Sequence, residues 1–266
     1  MSENTKIEWC DSSWNPIQDT LKGKSGRGYH CEKCSPGCDY CYAEGFNLRF
    51  GNRLPFDARA VRFEIVEKEI AKPYHWKKPR RIFVQSMGDL FMADVRRELI
   101  DQIIPVIVDN PRHTFMFLTK RIHRAEKYLN SIVTEIPLPN LWIGVSVCVK
   151  AELPKIDVLK KINLPVRFVS FEPLLKDMGP HLDLTGIQWV IVGGETSPHA
   201  RPMYADSVGR IWRHCQIKKI PFFLKSWGEF NSRGTHVGKK KSGREFLGRE
   251  WNERPQNIKG QLKIEN

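Results

Sequence analysis

The stretch RIFVQSMGD, Arg81 to Asp89, sets a pattern that repeats to the end of the chain. A short run of β-favouring apolar residues closes on a polar or glycine-bearing end, and a helix-like segment follows. The same form returns in HTFMFLTKR (113–121), LWIGVSV (141–147), VRFVSFEP (166–173), WVIVGGE (189–195) and PFFLKSWGE (221–229). These runs are too evenly apolar for a sheet with one wet face, so they read as strands covered on both sides. Amphipathic segments lie between them, at Val95 to Val108, Arg121 to Ile132, Ala151 to Ile162 and Asp206 to Lys219. WNPIQD (14–19) offers a further strand ahead of them. Strands alternating with helices build right-handed βαβ units and a parallel sheet. Roughly seven such units suit an α/β barrel, complete or partial, although spacing alone does not separate a barrel from a doubly wound sheet.

Polar residues gather at the carboxyl ends of these runs. They are Ser86 and Asp89, Thr119 with Lys120 and Arg121, Ser146, Glu172, Glu195, Lys225 and Trp227. In a barrel those ends converge on one mouth, where active sites form. The pair Gly193 and Gly194 would let backbone approach a ligand closely, because glycine has no side chain. A tight turn explains the same pair as well.

Upstream of the first unit stands HCEKCSPGCDYCYAE, His30 to Glu44, which holds four of the seven cysteines. The N-terminus lacks a basic start followed by an apolar stretch, and the longest apolar run, IIPVIV (103–108), is far short of a membrane span. The expectation is a cytoplasmic chain, where thiols stay reduced and crowded cysteines bind metal or carry redox chemistry. Cys31, Cys34, Cys38 and Cys41 form C-x2-C-x3-C-x2-C. Zinc modules usually separate two ligand pairs by a long spacer, whereas iron–sulfur clusters accept short spacings because several irons share the load. Cys10, Cys148 and Cys215 stand apart and read as incidental or buried thiols.

The formal charge of +13 favours a polyanionic partner, DNA or RNA, through phosphate attraction. KKPRR (77–81) and GKKK (238–241) would track phosphates, Trp76 and Trp251 would stack bases, and Arg201 and Lys225 would meet a substrate phosphate. A zinc-stabilised nucleic-acid-binding protein without catalysis is therefore a reading of its own.

CSPGCDYC (34–41) spells CxxxCxxC, the spacing of the radical S-adenosylmethionine (SAM) superfamily, which the chain resembles. KIEWCDSSWNP, RIFVQSMGDLF, FLTKR, IGVSV, FVSFEPLL, WVIVGGETSPHARPM and PFFLKSWGE follow the order found in a phage-associated three-cysteine-motif family, itself distantly similar to spore photoproduct lyase. The resemblance covers nearly the whole chain. It implies a partial (β/α) barrel of about six to seven parallel strands over residues 1–230, with a basic extension, 231–266, packed on it. It also implies a 4Fe–4S cluster, bound SAM and an electron donor such as flavodoxin or ferredoxin. Three thiolates would hold the cluster and leave one iron open to SAM. The superfamily spacing selects Cys34, Cys38 and Cys41. The longer first spacing of the closer family selects Cys31 in place of Cys34. By the same resemblance Ser86 and Asp89 would receive the SAM amino group, and Lys120 and Arg121 its carboxylate. Ser146 and Glu172 would meet the ribose, Tyr42 would pack near adenine, and Gly193, Gly194 and Glu195 would border the cofactor. The implied chemistry is reductive cleavage of SAM and hydrogen abstraction from a substrate, with a nucleic-acid base or nucleotide in keeping with the charge.

Overall fold

The computed structural model describes residues 5–23, 26–57 and 60–255. Seven parallel strands, β1 (Ser12–Trp14), β2 (Arg81–Val84), β3 (Thr114–Thr119), β4 (Leu141–Ser146), β5 (Val166–Phe171), β6 (Trp189–Gly193) and β7 (Phe222–Ser226), pair in sequence order. The two outer strands do not pair with each other, so the sheet is a half-barrel, the partial (β/α) barrel expected. Helices α1 (Tyr42–Phe50), α2 (Arg97–Asp101), α3 (Ile103–Asp109), α4 (Ile122–Ile132), α5 (Pro154–Lys160) and α6 (Ala205–Lys218) connect the strands.

Side chains of a strand alternate between faces, and here both faces are apolar. Val84, Phe117, Val145, Phe171, Val192 and Leu224 point outward into the core shared with the helices. Phe83, Met116, Trp142, Phe168, Trp189 and Phe223 point inward and form a second cluster with Trp9. Trp9 stands 4.7 Å from Phe83 and 6.3 Å from both Phe168 and Trp189, ring centre to ring centre. Removing a buried ring from such a cluster costs about 3–5 kcal/mol. Gly144 is the one inner position of β4 without a side chain, and the Phe168 ring occupies the space a Cβ would take.

Several elements depart from expectation. WNPIQD does not form one strand: Trp14 ends β1, and Ile17–Gly23 leaves to join Gly26–Gly28 and Phe63–Ile65 in a small antiparallel sheet. Pro16, which has no N–H, marks the break. The segment 95–108 is two helices, because Pro105 cannot donate to the Asp101 carbonyl and α2 ends there. No helix links β5 to β6. The segment after Trp227 is more ordered than an irregular tail. It holds a helical turn, Lys239–Ser242, and a hairpin of Glu245–Phe246 with Arg249–Glu250. Leu247 and Gly248, both at positive φ, make the two-residue hairpin turn. The chain then covers the open edge of β7, with Leu224 N–H donating to the Trp251 carbonyl at 2.9 Å and Glu253 N–H to that of Phe222 at 3.1 Å. The end of the expected extension, 256–266, lies outside the described residues.

Candidate ligand cavity at the mouth of the half-barrel

The inner face changes character along each strand. Going from amino to carboxyl end, β3 runs Met116, Leu118, Lys120; β4 runs Trp142, Gly144, Ser146; β5 runs Phe168, Ser170, Glu172; and β7 runs Phe223, Lys225. Aromatic rings fill the floor and polar groups ring the mouth. Between them lies a cavity of about 150 Å³. Cys31, Cys38, Cys41 and Tyr42 line it from the cysteine loop, and Ser86, Asp89, Lys120, Arg121, Ser146, Glu172, Gly194, Glu195 and Lys225 line it from the strand ends. Cys34, Gly193, Arg201 and Trp227 do not line it.

The loop has its own local logic. Ser35 caps a 3-10 turn, Pro36–Cys38, by accepting from Gly37 N–H at 3.2 Å. Cys41 is the N-cap of α1, so that helix begins with its free N–H groups at the cysteines. Cys34 is exposed, whereas Cys38 is buried and Cys31 and Cys41 are half-buried. Interaction between the two thiols raises Cys34 and lowers Cys38 against the opposing effect of burial, so the Cys38 side of the pair carries the thiolate. Burial pushes Cys31 up to about 12, with Arg121 acting against it, and also pushes Cys41 up. Among the described residues no three His, Cys, Asp or Glu side chains are gathered as a single metal ion requires. Thiolates that ligate a cluster sit on different irons and do not converge on one point.

Two arginines from the barrel hold this loop. Arg121 donates to the Glu32 carbonyl at 2.9 Å and to Asp89 at 3.3 Å, and its guanidinium stands 3.9 Å from Cys31 Sγ. Arg201 forms a two-point pair with Glu195, at 2.7 and 2.9 Å, and reaches across to the Pro36 carbonyl at 2.7 Å and to Asp39 at 3.1 Å. Arg201 is thus a latch on the cysteine loop, and the expectation that it meets a substrate phosphate gives way to that geometry.

Asp89 is similarly committed. Its carboxylate accepts from Thr119 Oγ1 at 2.7 Å, Phe91 N–H at 2.9 Å and Lys120 N–H at 3.1 Å, besides Arg121. It joins the end of β2 to the end of β3. The Ser86 hydroxyl pairs with Asn15, and the Ser86 carbonyl accepts from the Tyr42 hydroxyl at 2.8 Å. The Lys120 ammonium, by contrast, has no hydrogen bond or ion pair among the described residues. Burial opposes its charge, but Cys148, Cys38, Cys41 and Asp89 together raise its pKa. It is a cation held ready at the cavity wall.

Deeper, Lys225 and Glu172 form an ion pair. Burial works against the Lys225 charge, and Glu172 outweighs it. Beside the pair lies Ser170, fully buried, lining the cavity, with an Oγ that has no partner among the described residues. The sequence reading passed over Ser170; counting back two residues from Glu172 on the inner face would have found it. Cys148 is the buried thiol expected, and it packs against Gly37 of the cysteine loop, its Sγ filling the place where a Gly37 Cβ would stand.

Four other expectations are corrected. The close approach that Gly194 permits is to the Trp227 and Gly228 backbone, while Gly193 sits against the Glu172 side chain. Trp227 is a core residue whose Nε1 donates to the Glu245 carbonyl at 2.9 Å. Trp76 and Trp251 are buried and offer no free stacking face. KKPRR leads into the start of β2, away from the mouth, and there Arg81 is paired with Asp11 at 2.7 Å. Lys239, Lys240 and Lys241 are exposed beyond the end of β7, on the side of the mouth. No helix among the described residues is long and apolar enough to cross a membrane.

Fold and cavity together define a half-open parallel (β/α) barrel with a thiol-lined cavity at the carboxyl ends of its strands. More particularly, the chain belongs to the family described as protein of unknown function DUF5131, whose model matches residues 4–255. No curated protein and no solved structure matches it.

Proposed function

We propose that the chain is a radical SAM enzyme in which Cys31, Cys38 and Cys41 hold a 4Fe–4S cluster over the mouth of the half-barrel. The observation that carries this reading is the meeting of three thiols from one loop and one uncommitted ammonium, that of Lys120, on a single cavity. The donor set fits the group. Thiolates are the usual cluster ligands, and the cations of Arg121 and Lys120 with the N-terminus of α1 offset the negative charge of a thiolate-bound cluster. Cys34, exposed and off the cavity wall, is the spare thiol in this reading.

Bound together, the cluster and SAM would supply a 5′-deoxyadenosyl radical for abstracting hydrogen from a substrate. The chain's own residues bind, orient and exclude water. Lys120 receives a carboxylate, a role Arg121 is less free to take because its guanidinium already braces Glu32 and Asp89. Ser146, Ser170 and Glu172 offer hydroxyl and carboxylate partners for a sugar. Tyr42, hydrogen-bonded to the Ser86 carbonyl, presents a ring to a base. The aromatic floor keeps water from beneath.

Anaerobic reconstitution with iron and sulfide tests the reading. The expected product is a brown protein that cleaves SAM when reduced. Cys31→Ala should lose iron and Cys34→Ala should keep it; the reverse would overturn the ligand set. A colourless protein carrying stoichiometric zinc would overturn the whole reading in favour of a zinc-stabilised module.

A further inference from the structure

Helix α1 carries a feature that starts at the cavity wall and runs beyond it. Tyr42, Phe46 and Phe50 recur at every fourth residue, which places three rings along one helical face. All three are exposed, at 47%, 44% and 64%. Phe46 and Phe50 touch, with centroids 4.9 Å apart, and the Arg49 guanidinium lies 5.0 Å from the Phe50 ring. Arg27, Arg49 and Arg53 are exposed at the far end of the helix, and no ion pair engages any of them among the described residues. Glu44, the one acid of the helix, is turned away and used by Lys33 at 3.0 Å and Phe56 N–H at 2.8 Å. Gly45, between Tyr42 and Phe46 on the face, leaves open space above it.

We propose that this face binds single-stranded nucleic acid and leads one base into the cavity. Proteins seldom expose three large rings in a row without a partner. Rings alternating with free guanidinium groups suit stacked bases and phosphates, and the chain's charge of +13 complements a polyanion. A second copy of the chain would set arginine against arginine. An acidic protein would satisfy the arginines but leave the rings without stacking partners. The stripe is about 13 Å long, and its first ring, Tyr42, is also a wall of the cavity. A strand lying on it therefore ends where the thiols and Lys120 begin. The inference deepens the proposed function by naming its substrate class, and it relies on that reading only for the chemistry.

The test is fluorescence anisotropy on the full chain without cluster or SAM, so its outcome is independent of the radical reading. Labelled oligothymidine and oligouridine report binding, and oligodeoxyuridine beside oligouridine assigns the sugar, since those two differ only in the 2′-hydroxyl. An abasic oligonucleotide supplies phosphates without bases, and poly-glutamate stands for an acidic protein. Phe46→Ala with Phe50→Ala should weaken oligothymidine or oligouridine binding roughly ten-fold or more, the scale of stacking on exposed rings. It should leave the weaker binding of the abasic strand unchanged. Arg49→Glu with Arg53→Glu should weaken binding and flatten its salt dependence. Equal affinity of the phenylalanine variant and the parent would overturn the proposal. So would an abasic strand or poly-glutamate binding as tightly as the base-bearing strands, or no binding of any base-bearing strand.

Discussion

At Gly37 the cysteine loop packs on the barrel with no room for a side chain, and Gly37→Ala is the sharpest test of how the loop is seated. A methyl group there would overlap Cys148 Sγ outright and stand 3.1 Å from both Cys148 Cβ and Pro173 Cδ. Comfortable carbon contacts lie near 3.5–4.0 Å. Cys148 is fully buried, and Pro173 is fixed at the end of β5, so neither can withdraw far. The strain falls on the loop. Overpacking of this kind costs about 1–3 kcal/mol. At about 2 kcal/mol the seated loop would be populated roughly 30-fold less. Because Gly37 adjoins Cys38, that loss should appear in cluster loading more than in global stability. The assay is iron and sulfide per chain after anaerobic reconstitution, beside a thermal melt. We expect Gly37→Ala to load poorly and melt a few degrees lower. Cys148→Ala alone should load like the parent, because Cys148 packs against the loop without lining the cavity. The double variant should regain much of the loading, since removing Sγ frees the overlapped space. Normal loading by Gly37→Ala, or no recovery in the double variant, would refute the reasoning.

Lys120→Ala should keep its iron but bind SAM roughly ten- to a hundred-fold more weakly by equilibrium dialysis, the worth of one charge-assisted bond; undiminished affinity would remove Lys120 from the site. Asp89→Asn should destabilise the chain by about 1.5–3 kcal/mol in urea unfolding, because Arg121 loses its buried counter-charge, and should make Cys31 easier to alkylate. Glu152 gives a pH signature. Burial raises its pKa, but Lys155 and the Cys148 N–H, each 2.7 Å away, more than compensate and hold it below the ordinary carboxylate value. An acid depressed in the folded state contributes stability at neutral pH that is lost as pH falls through its folded pKa. The urea midpoint should therefore fall below the ordinary carboxylate range, and Glu152→Gln should flatten that part of the profile. Removing bound metal with a chelator should leave far-UV dichroism and the cooperative melt in place; collapse to an unfolded chain would show that the metal, not the barrel, holds the loop.

Much of the fold was legible because parallel strands buried on both faces write unbroken apolar runs, as in HTFMFLT and WVIVG. Their carboxyl ends were legible too, since Lys120, Ser146, Glu172 and Lys225 follow the inner-face alternation to the rim. What the sequence concealed were roles fixed by distant partners. Arg201 meets Pro36 and Asp39 more than 160 residues away in sequence, and nothing near position 201 announces it. Trp227, Trp76 and Trp251 carry ring chemistry that suits a stacking site or a core equally well, and only packing assigns them to the core. KKPRR was read by charge alone, and charge does not say which end of a strand a cluster occupies. Phe46 and Phe50 of α1 went unremarked because YAEGFNLRF, read linearly, hides a stripe that appears only at helical spacing.

The arrangement of latches explains why a short, glycine-bearing loop can carry a site at all. The loop contains one helical turn and no apolar core of its own, so its shape must be imposed from outside. Arg121, at the end of β3, fixes its first half through Glu32 and Cys31, and Arg201, following β6, fixes its second half through Pro36 and Asp39. Each arginine is itself aimed by a buried carboxylate, Asp89 or Glu195, whose position is set by the sheet. Orientation therefore passes from the hydrophobic core to strand end, to carboxylate, to guanidinium and to loop backbone, without using Cys38, Cys41 or the Lys120 ammonium. Those groups remain free for a ligand because the structural duties beside them have been taken by other residues. The same division separates neighbours of like chemistry: Arg121 braces while Lys120 waits, and Cys148 packs while Cys38 faces the cavity.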